Sequence, residues 1–168
     1  KVGLGIGARH ITVSTCGLLD GIQRFSQEPE QFTLAISLHA ATQETRDALM
    51  PGVANVSLEE LRQAIKDYGE TTKRRPSLEY APIEGVNDSD EHIAALIDFC
   101  KGMLCHVNVI PLNPITPGQE LDGMLMPSKR TSYIAHELSA HGIENSMRKS
   151  RGKDIDGACG QLRQRVEK

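Results

Sequence analysis

The sequence predicts an α/β fold built on a parallel sheet, and three observations predict it. Short apolar or alternating runs of strand length recur along the chain, segments with helical periodicity lie between them, and the two kinds alternate almost throughout. Such alternation implies right-handed crossovers that lay successive strands side by side in parallel. With 168 residues the chain is long enough for one domain with a real core and short for two, so residues 1–168 are read as a single domain.

Strands are read at His10 to Ser14, Phe32 to Ser37, Ser77 to Ile83 and Val107 to Pro111, with a more polar fifth at Ile143 to Ser150. The clearest helix begins at Ser57, which with Glu60 forms a capping box ahead of an apolar face of Leu58, Leu61, Ile65 and Tyr68. A second box, Asp88 with Glu91, precedes the stripe Ile93, Leu96, Ile97, Cys100 and Leu104. Weaker helices are read at Leu18 to Phe25, Thr42 to Met50 and Ser128 to His141, the last bracketed by Pro127 and Gly142. The longest irregular connection, Leu112 to Met126, is of the length at which loops tend to be functional.

Composition narrows the function classes. Nineteen Lys and Arg against 22 Asp and Glu leave a net charge of -3, so any polyanion contact must be local. No apolar run approaches the ~20 residues that cross a bilayer and no leader stands at the start, so a cytoplasmic protein without a membrane partner is expected. The glycine-bearing opening after Lys1 reads like mid-chain loop, which predicts a piece of something longer. Its Gly3-x-Gly5-x-x-Ala8 run precedes a strand, where a dinucleotide fingerprint must follow one, and is rejected as a cofactor loop. Cys16, Cys100, Cys105 and Cys159 form no CxxC pair and predict reduced thiols, with no metal site.

In parallel α/β proteins the site stands at the carboxyl ends of the strands. Here those ends read Ser14-Thr15-Cys16-Gly17, Ser37-Leu38-His39, Glu84 to Asp88, and Asn113, short hydrogen-bonding groups suited to a nucleoside or amino acid. Any one of them could simply make a turn or cap. His39 could be a ligand, an acid or base, or a structural histidine. The remaining concentration of signal is Arg148, Lys149, Arg151 and Lys153, a local phosphate-binding patch, followed by Cys159 between Gly157 and Gly160. Flanking glycines suit an accessible, reactive thiol, whereas Cys100, Cys105 and Cys16 read as packing.

The series Ile-Thr-Val-Ser-Thr-Cys-Gly (11 to 17), Leu-Ala-Ile-Ser-Leu-His-Ala (34 to 40), Glu-Gly-Val-Asn-Asp (84 to 88), Ile-Pro-Leu-Asn-Pro (110 to 114) and Arg-Gly-Lys-Asp-Ile-Asp-Gly-Ala-Cys-Gly-Gln-Leu (151 to 162) resembles the C-terminal part of the radical S-adenosylmethionine methyltransferases of the RlmN type. The resemblance implies the later part of a partial (β/α)6 barrel plus a C-terminal extension. It implies that Ser14, Ser37, Leu38, His39 and Asn113 contact S-adenosylmethionine and that Cys159 carries the methyl group. It further implies methylation of C2 of an adenine in large-subunit rRNA, and also in tRNA, by a monomer that draws on a [4Fe-4S] cluster and an electron donor.

The family's CxxxCxxC cluster motif, its Gly-Glu-Pro strand end, its N-terminal RNA-binding domain and its resolving cysteine are absent from this sequence. The isolated chain is therefore expected to be unable to methylate RNA. Two other readings stand beside this one: a C8-methylating resistance-type relative, and a noncatalytic nucleotide- or RNA-binding α/β domain.

Overall fold

The structure, a computed structural model, describes residues 5–112 and 125–148. Five strands, β1 (Thr12–Thr15), β2 (Thr33–Ser37), β3 (Ser77–Tyr80), β4 (His106–Val109) and β5 (Asn145–Met147), form one sheet in chain order. Every neighbouring pair is parallel. Between them run α1 (Leu19–Phe25), α2 (Gln43–Leu49), α3 (Leu58–Thr72), α4 (Asp90–Cys100) and α5 (Thr131–Ala140). Chain-order strands, with helices packed against one face, are the winding of a βα barrel; a doubly wound sheet reverses its order part-way. The predicted α/β parallel fold is what forms.

The core explains the pairing. Leu34, Ile36 and Leu38 from the second strand region, Leu78 and Tyr80 from β3, and Val107 and Val109 from β4 project to one side of the sheet. Against them pack Ile22, Leu61, Ile65, Tyr68, Leu96, Ile134 and Leu138 from the helices. Each such aliphatic side chain, fully buried, contributes about 1.5–3 kcal/mol. Both edges are thinner: Val13 on β1 is 40 % exposed although its register partner Leu34 is 2 % exposed.

Sequence signals fixed α3 closely. Glu60 N–H donates to Ser57 Oγ (3.2 Å) and Ser57 N–H to Glu60 Oε2 (3.1 Å), closing the expected capping box. The Ser57 hydroxyl, which donates to Glu60 Oε2 at 2.6 Å, and then the Ser57 N–H hold the Glu60 carboxyl below its ordinary pKa. Gly142 ends α5 as expected, at φ +72° with Ile143 N–H returning to Leu138 O.

Three boundary expectations are corrected. The cap of α4 is Ser89, whose side chain accepts from His92 N–H, and not Asp88. Asp88 is occupied elsewhere, accepting from Gly85 N–H (2.9 Å) and Ser128 Oγ–H (2.5 Å). That second bond also moves the start of α5 from Ser128 to Thr131, because Ser128 is spent tying two loops together. Leu104 lies past the end of α4 and is 55 % exposed; Phe99, 7 % exposed, fills the stripe instead.

Candidate functional site

Side chains alternate along a strand, so the sheet's second face collects every other residue. The registers place Ser14, Ala35, Ser77 and His106 in one cross-strand row, and Ser37, Glu79, Asn108 and Ser146 in the next. Both rows are largely polar. The second lies at the carboxyl end of the sheet, since Ser37 is the last residue of β2.

Hydrogen bonds cross these rows in one direction. Ser77 Oγ–H donates to Glu79 Oε1 (2.8 Å), and Asn108 Nδ2–H donates to the same carboxylate, at 3.1 Å to Oε2. Asn108 therefore turns Oδ1 toward Ser146, whose hydroxyl donates to it (2.9 Å). With its single proton spent, Ser146 Oγ accepts from His106 Nε2–H (2.8 Å). The His106 pKa is depressed by burial and by Arg75, against an opposing pull from Glu79. The neutral imidazole thus carries its proton on Nε2.

The turn after β2 shapes the rim. Leu38 and His39 both donate backbone N–H to Glu79 O, at 3.0 and 3.1 Å, and Ala40 N–H closes back on Leu38 O at 2.7 Å. His39 is left at φ +54°, a left-handed conformation unusual for a side-chain-bearing residue. It is held there from both ends: Asn87 Nδ2–H donates to His39 O (2.6 Å) and Ala81 N–H to His39 Nδ1 (3.3 Å). The second bond puts the proton of the neutral ring on Nε2. Burial lowers the His39 pKa, and the nearby Arg46 cation lowers it further.

Beside it, Thr15 Oγ1 accepts from Gly17 N–H and Leu18 N–H, turning the chain at the end of β1. Gly17 sits at φ +107°, and a Cβ there would lie 3.0 Å from Arg46 Nη2 and 3.2 Å from Leu61 Cδ1. Arg46 is wholly buried and donates to Cys16 O (2.7 Å), while its Nε and Nη1 have no partner among the described residues. Burial pushes its pKa down, partly offset by Asp47 and the Cys16 thiol.

Of the residues singled out from sequence, Ser14 and Ser37 stand on the polar face and His39 at its rim. Leu38 has no exposed surface; its side chain joins the core and anchors the turn. Asn113 and Cys159 lie outside the described residues, as do Lys149, Arg151 and Lys153 of the cationic patch; Arg148 is exposed. The Glu84 to Asp88 run, expected to face a small molecule, is largely structural. Asn87 is wholly buried, accepting from Ile83 N–H (2.6 Å) and donating to Ala81 O (2.9 Å) as well as to His39 O. Tyr80, whose phenol is pushed upward by burial and by Asp88, donates to Asn87 O. Cys100 and Cys105 are buried, as their apolar context predicted, and Cys16 is half-buried.

Sequence reasoning missed Glu79, Asn108 and Arg46. The first two carried a signal: Ser77-Leu78-Glu79-Tyr80 and His106-Val107-Asn108-Val109 alternate strictly, whereas parallel strands buried on both faces read as continuous apolar runs. Arg46, in the polar stretch Gln43 to Asp47, carried none.

No protein-family model matches the chain. Among curated proteins it is 48 % identical over 160 residues to a probable dual-specificity RNA methyltransferase RlmN of Clostridium novyi, covering 95 % of this chain and 46 % of that protein. A protein of the same name from Thermoanaerobacter sp. is 45 % identical over 166 residues, 99 % of this chain and 48 % of its own length. A solved radical SAM methyltransferase from Sphaerobacter thermophilus superposes with a TM-score of 0.86 at 45 % identity, over 95 % of this chain and 46 % of that one. The chain belongs to the RlmN family. It spans about half the length of the curated relatives it matches. A domain of pyruvate-formate lyase-activating enzyme from Bacteroides vulgatus, at 17 % identity and a TM-score of 0.61, shares the fold.

Ser14 and Ser37 bring hydroxyls to the polar face, Glu79 a carboxylate, and His39 a ring Nε2–H at its rim. Among the described residues no group of three or more His, Cys, Asp or Glu side chains is placed to hold a metal ion, so ligands for a [4Fe-4S] cluster are not among them.

Proposed function

We propose that the full-length protein methylates C2 of an adenine in large-subunit rRNA and tRNA, and that this chain contributes part of the S-adenosylmethionine site and the methyl-carrying residue, Cys159. The observation that carries the reading is the polar strand-end face around Ser14, Ser37 and His39, in a chain 45 to 48 % identical to proteins named as RNA methyltransferases. When bound, S-adenosylmethionine and the reduced cluster supply the methyl group and the one-electron chemistry that a non-nucleophilic adenine carbon requires.

The chain's own residues bind and orient. Ser14 and Ser37 hydroxyls, His39 Nε2–H and Asn113 hydrogen-bond the nucleoside and amino-acid parts of S-adenosylmethionine, and Leu38 fixes the turn that presents His39. His39 stays neutral near pH 7, because protonating it costs desolvation beside the Arg46 cation. Arg148, Lys149, Arg151 and Lys153 draw the RNA backbone toward Cys159. The protein works as a cytoplasmic monomer fed by an electron donor. No helix among the described residues is long and apolar enough to cross a membrane.

The test uses the full-length protein with its cluster, reductant, methyl-labelled S-adenosylmethionine and rRNA or tRNA, with the methylated carbon mapped by mass spectrometry. Label on adenine C2, lost in Cys159→Ala, is expected. Label on C8 would assign the resistance-type activity instead, and full activity in Cys159→Ala would overturn the role of that cysteine.

A further inference from the structure

On the polar face Glu79 carries the formal negative charge, and its bonding is incomplete. Its carboxylate accepts from Ser77 and from Asn108, yet an ionised carboxylate can accept about four bonds, and no cation pairs with it among the described residues. The donors around it are neutral by construction. His106 passes a hydrogen bond to Ser146, Ser146 to Asn108 and Asn108 to Glu79, so the relay points its positive ends at the carboxylate without cancelling its charge. Glu79 is only partly buried and is the direct register partner of Ser37, about 4.8 Å away across the sheet. A lone negative charge, held by two neutral side chains and set level with Ser37, is an arrangement that selects a cation.

We propose that Glu79 is a specificity-determining residue that favours S-adenosylmethionine over S-adenosylhomocysteine by its charge. The inference rests on the reading of the site as an S-adenosylmethionine site. Both molecules present the same ribose hydroxyls, ammonium, carboxylate and adenine; they differ in the methyl group and in the sulfonium charge, which is lost when the methyl leaves. A fixed carboxylate stabilises the sulfonium and has nothing to attract in the neutral thioether. The same carboxylate therefore helps retain the methyl donor and release the spent product. Ser77 and Asn108 act as positioning residues, each holding one oxygen of the carboxylate.

The experiment measures equilibrium affinities of both ligands by calorimetry on the full-length, cluster-bearing protein and its Glu79→Gln and Glu79→Asp variants, with thermal melts as a folding control. Glu79→Gln keeps the shape and removes the charge. It is expected to weaken S-adenosylmethionine about tenfold relative to S-adenosylhomocysteine, about 1.4 kcal/mol. Glu79→Asp, which keeps the charge, is expected to hold the affinity ratio within about twofold. Equal weakening of both ligands in Glu79→Gln, or an unchanged ratio, overturns the proposal and leaves the site reading standing. Should Glu79→Gln fail to fold, a shift in the ratio beyond that bound in Glu79→Asp overturns it. If the unsubstituted protein binds neither ligand, the site reading falls and this proposal falls with it.

Discussion

Asn87→Ala tests the scaffold under the site. Asn87 is wholly buried and its side chain makes three bonds: Ile83 N–H to Oδ1 at 2.6 Å, Nδ2 to His39 O at 2.6 Å and Nδ2 to Ala81 O at 2.9 Å. Truncation leaves one donor and two acceptors buried. Each neutral bond is worth about 1 kcal/mol net, and each orphaned group costs about 1–3 kcal/mol, with a water in the vacated space recovering part of it. The expected loss is about 3–4 kcal/mol. With m near 2 kcal/mol per molar urea, the unfolding midpoint of the full-length protein falls by roughly 1.5–2 M. Asn87→Asp is the discriminating control, because it is isosteric and keeps the acceptor for Ile83. It turns a carboxylate oxygen toward the carbonyls of His39 and Ala81, so it is expected to destabilise at least as much as the alanine. A loss under about 1 kcal/mol for Asn87→Ala, or a clearly milder Asn87→Asp, would refute the assignment of these bonds as the brace of the His39 turn.

Gly17→Ala introduces a Cβ 3.0 Å from Arg46 Nη2 at a backbone φ of +107°, so steric and conformational penalties add. A loss of about 2–3 kcal/mol is expected by urea unfolding, and a loss below about 0.5 kcal/mol would show that the turn relaxes freely. The two histidines of the site set a pH dependence. Both His39 and His106 have folded pKa values depressed below 6.5, so the unfolded chain takes up protons first as pH falls. Their contribution to stability is complete above pH 6.5 and is lost as pH drops through the folded values. His39→Gln is expected to flatten the decline of the urea midpoint as pH falls below about 6.5 relative to the parent, and an equally steep decline in the variant would remove His39 from this account.

What the sequence disclosed depended on whether the signal was local. The box of Ser57 and Glu60 and the spacing of Leu61, Ile65 and Tyr68 lie within one helix, and the structure has them as read. Asp88 and Ser89 are adjacent and both are good caps; which one caps α4 is decided by Ser128, 40 residues downstream, which claims Asp88. The burial of Arg46 depends on Cys16 O and on the missing side chain of Gly17, partners from another part of the chain. The strand-end serines and His39 were legible because parallel topology alone says where a site stands. The left-handed geometry of His39 was not, since it follows from bonds made by Glu79, Ala81 and Asn87.

The composition of the two sheet faces carries the functional argument further than any single residue. Barrels of eight parallel strands fill their interiors with layers of Val, Ile and Leu, making a packed core. In this sheet the face turned from the helices instead carries Ser14, Ala35, Ser77 and His106 in one layer and Ser37, Glu79, Asn108 and Ser146 in the next. Four of these side chains are bonded to one another across strands, so the face avoids most of the penalty that unpartnered polar groups would impose. Such a face gains little from dry packing against another apolar layer and loses little by staying wet. It therefore leaves room where an aliphatic layer would close it. A barrel sector that spends its inward positions in this way suits a polar guest, and Glu79, with which no described cation pairs, is the residue to which the proposal above assigns a cationic one.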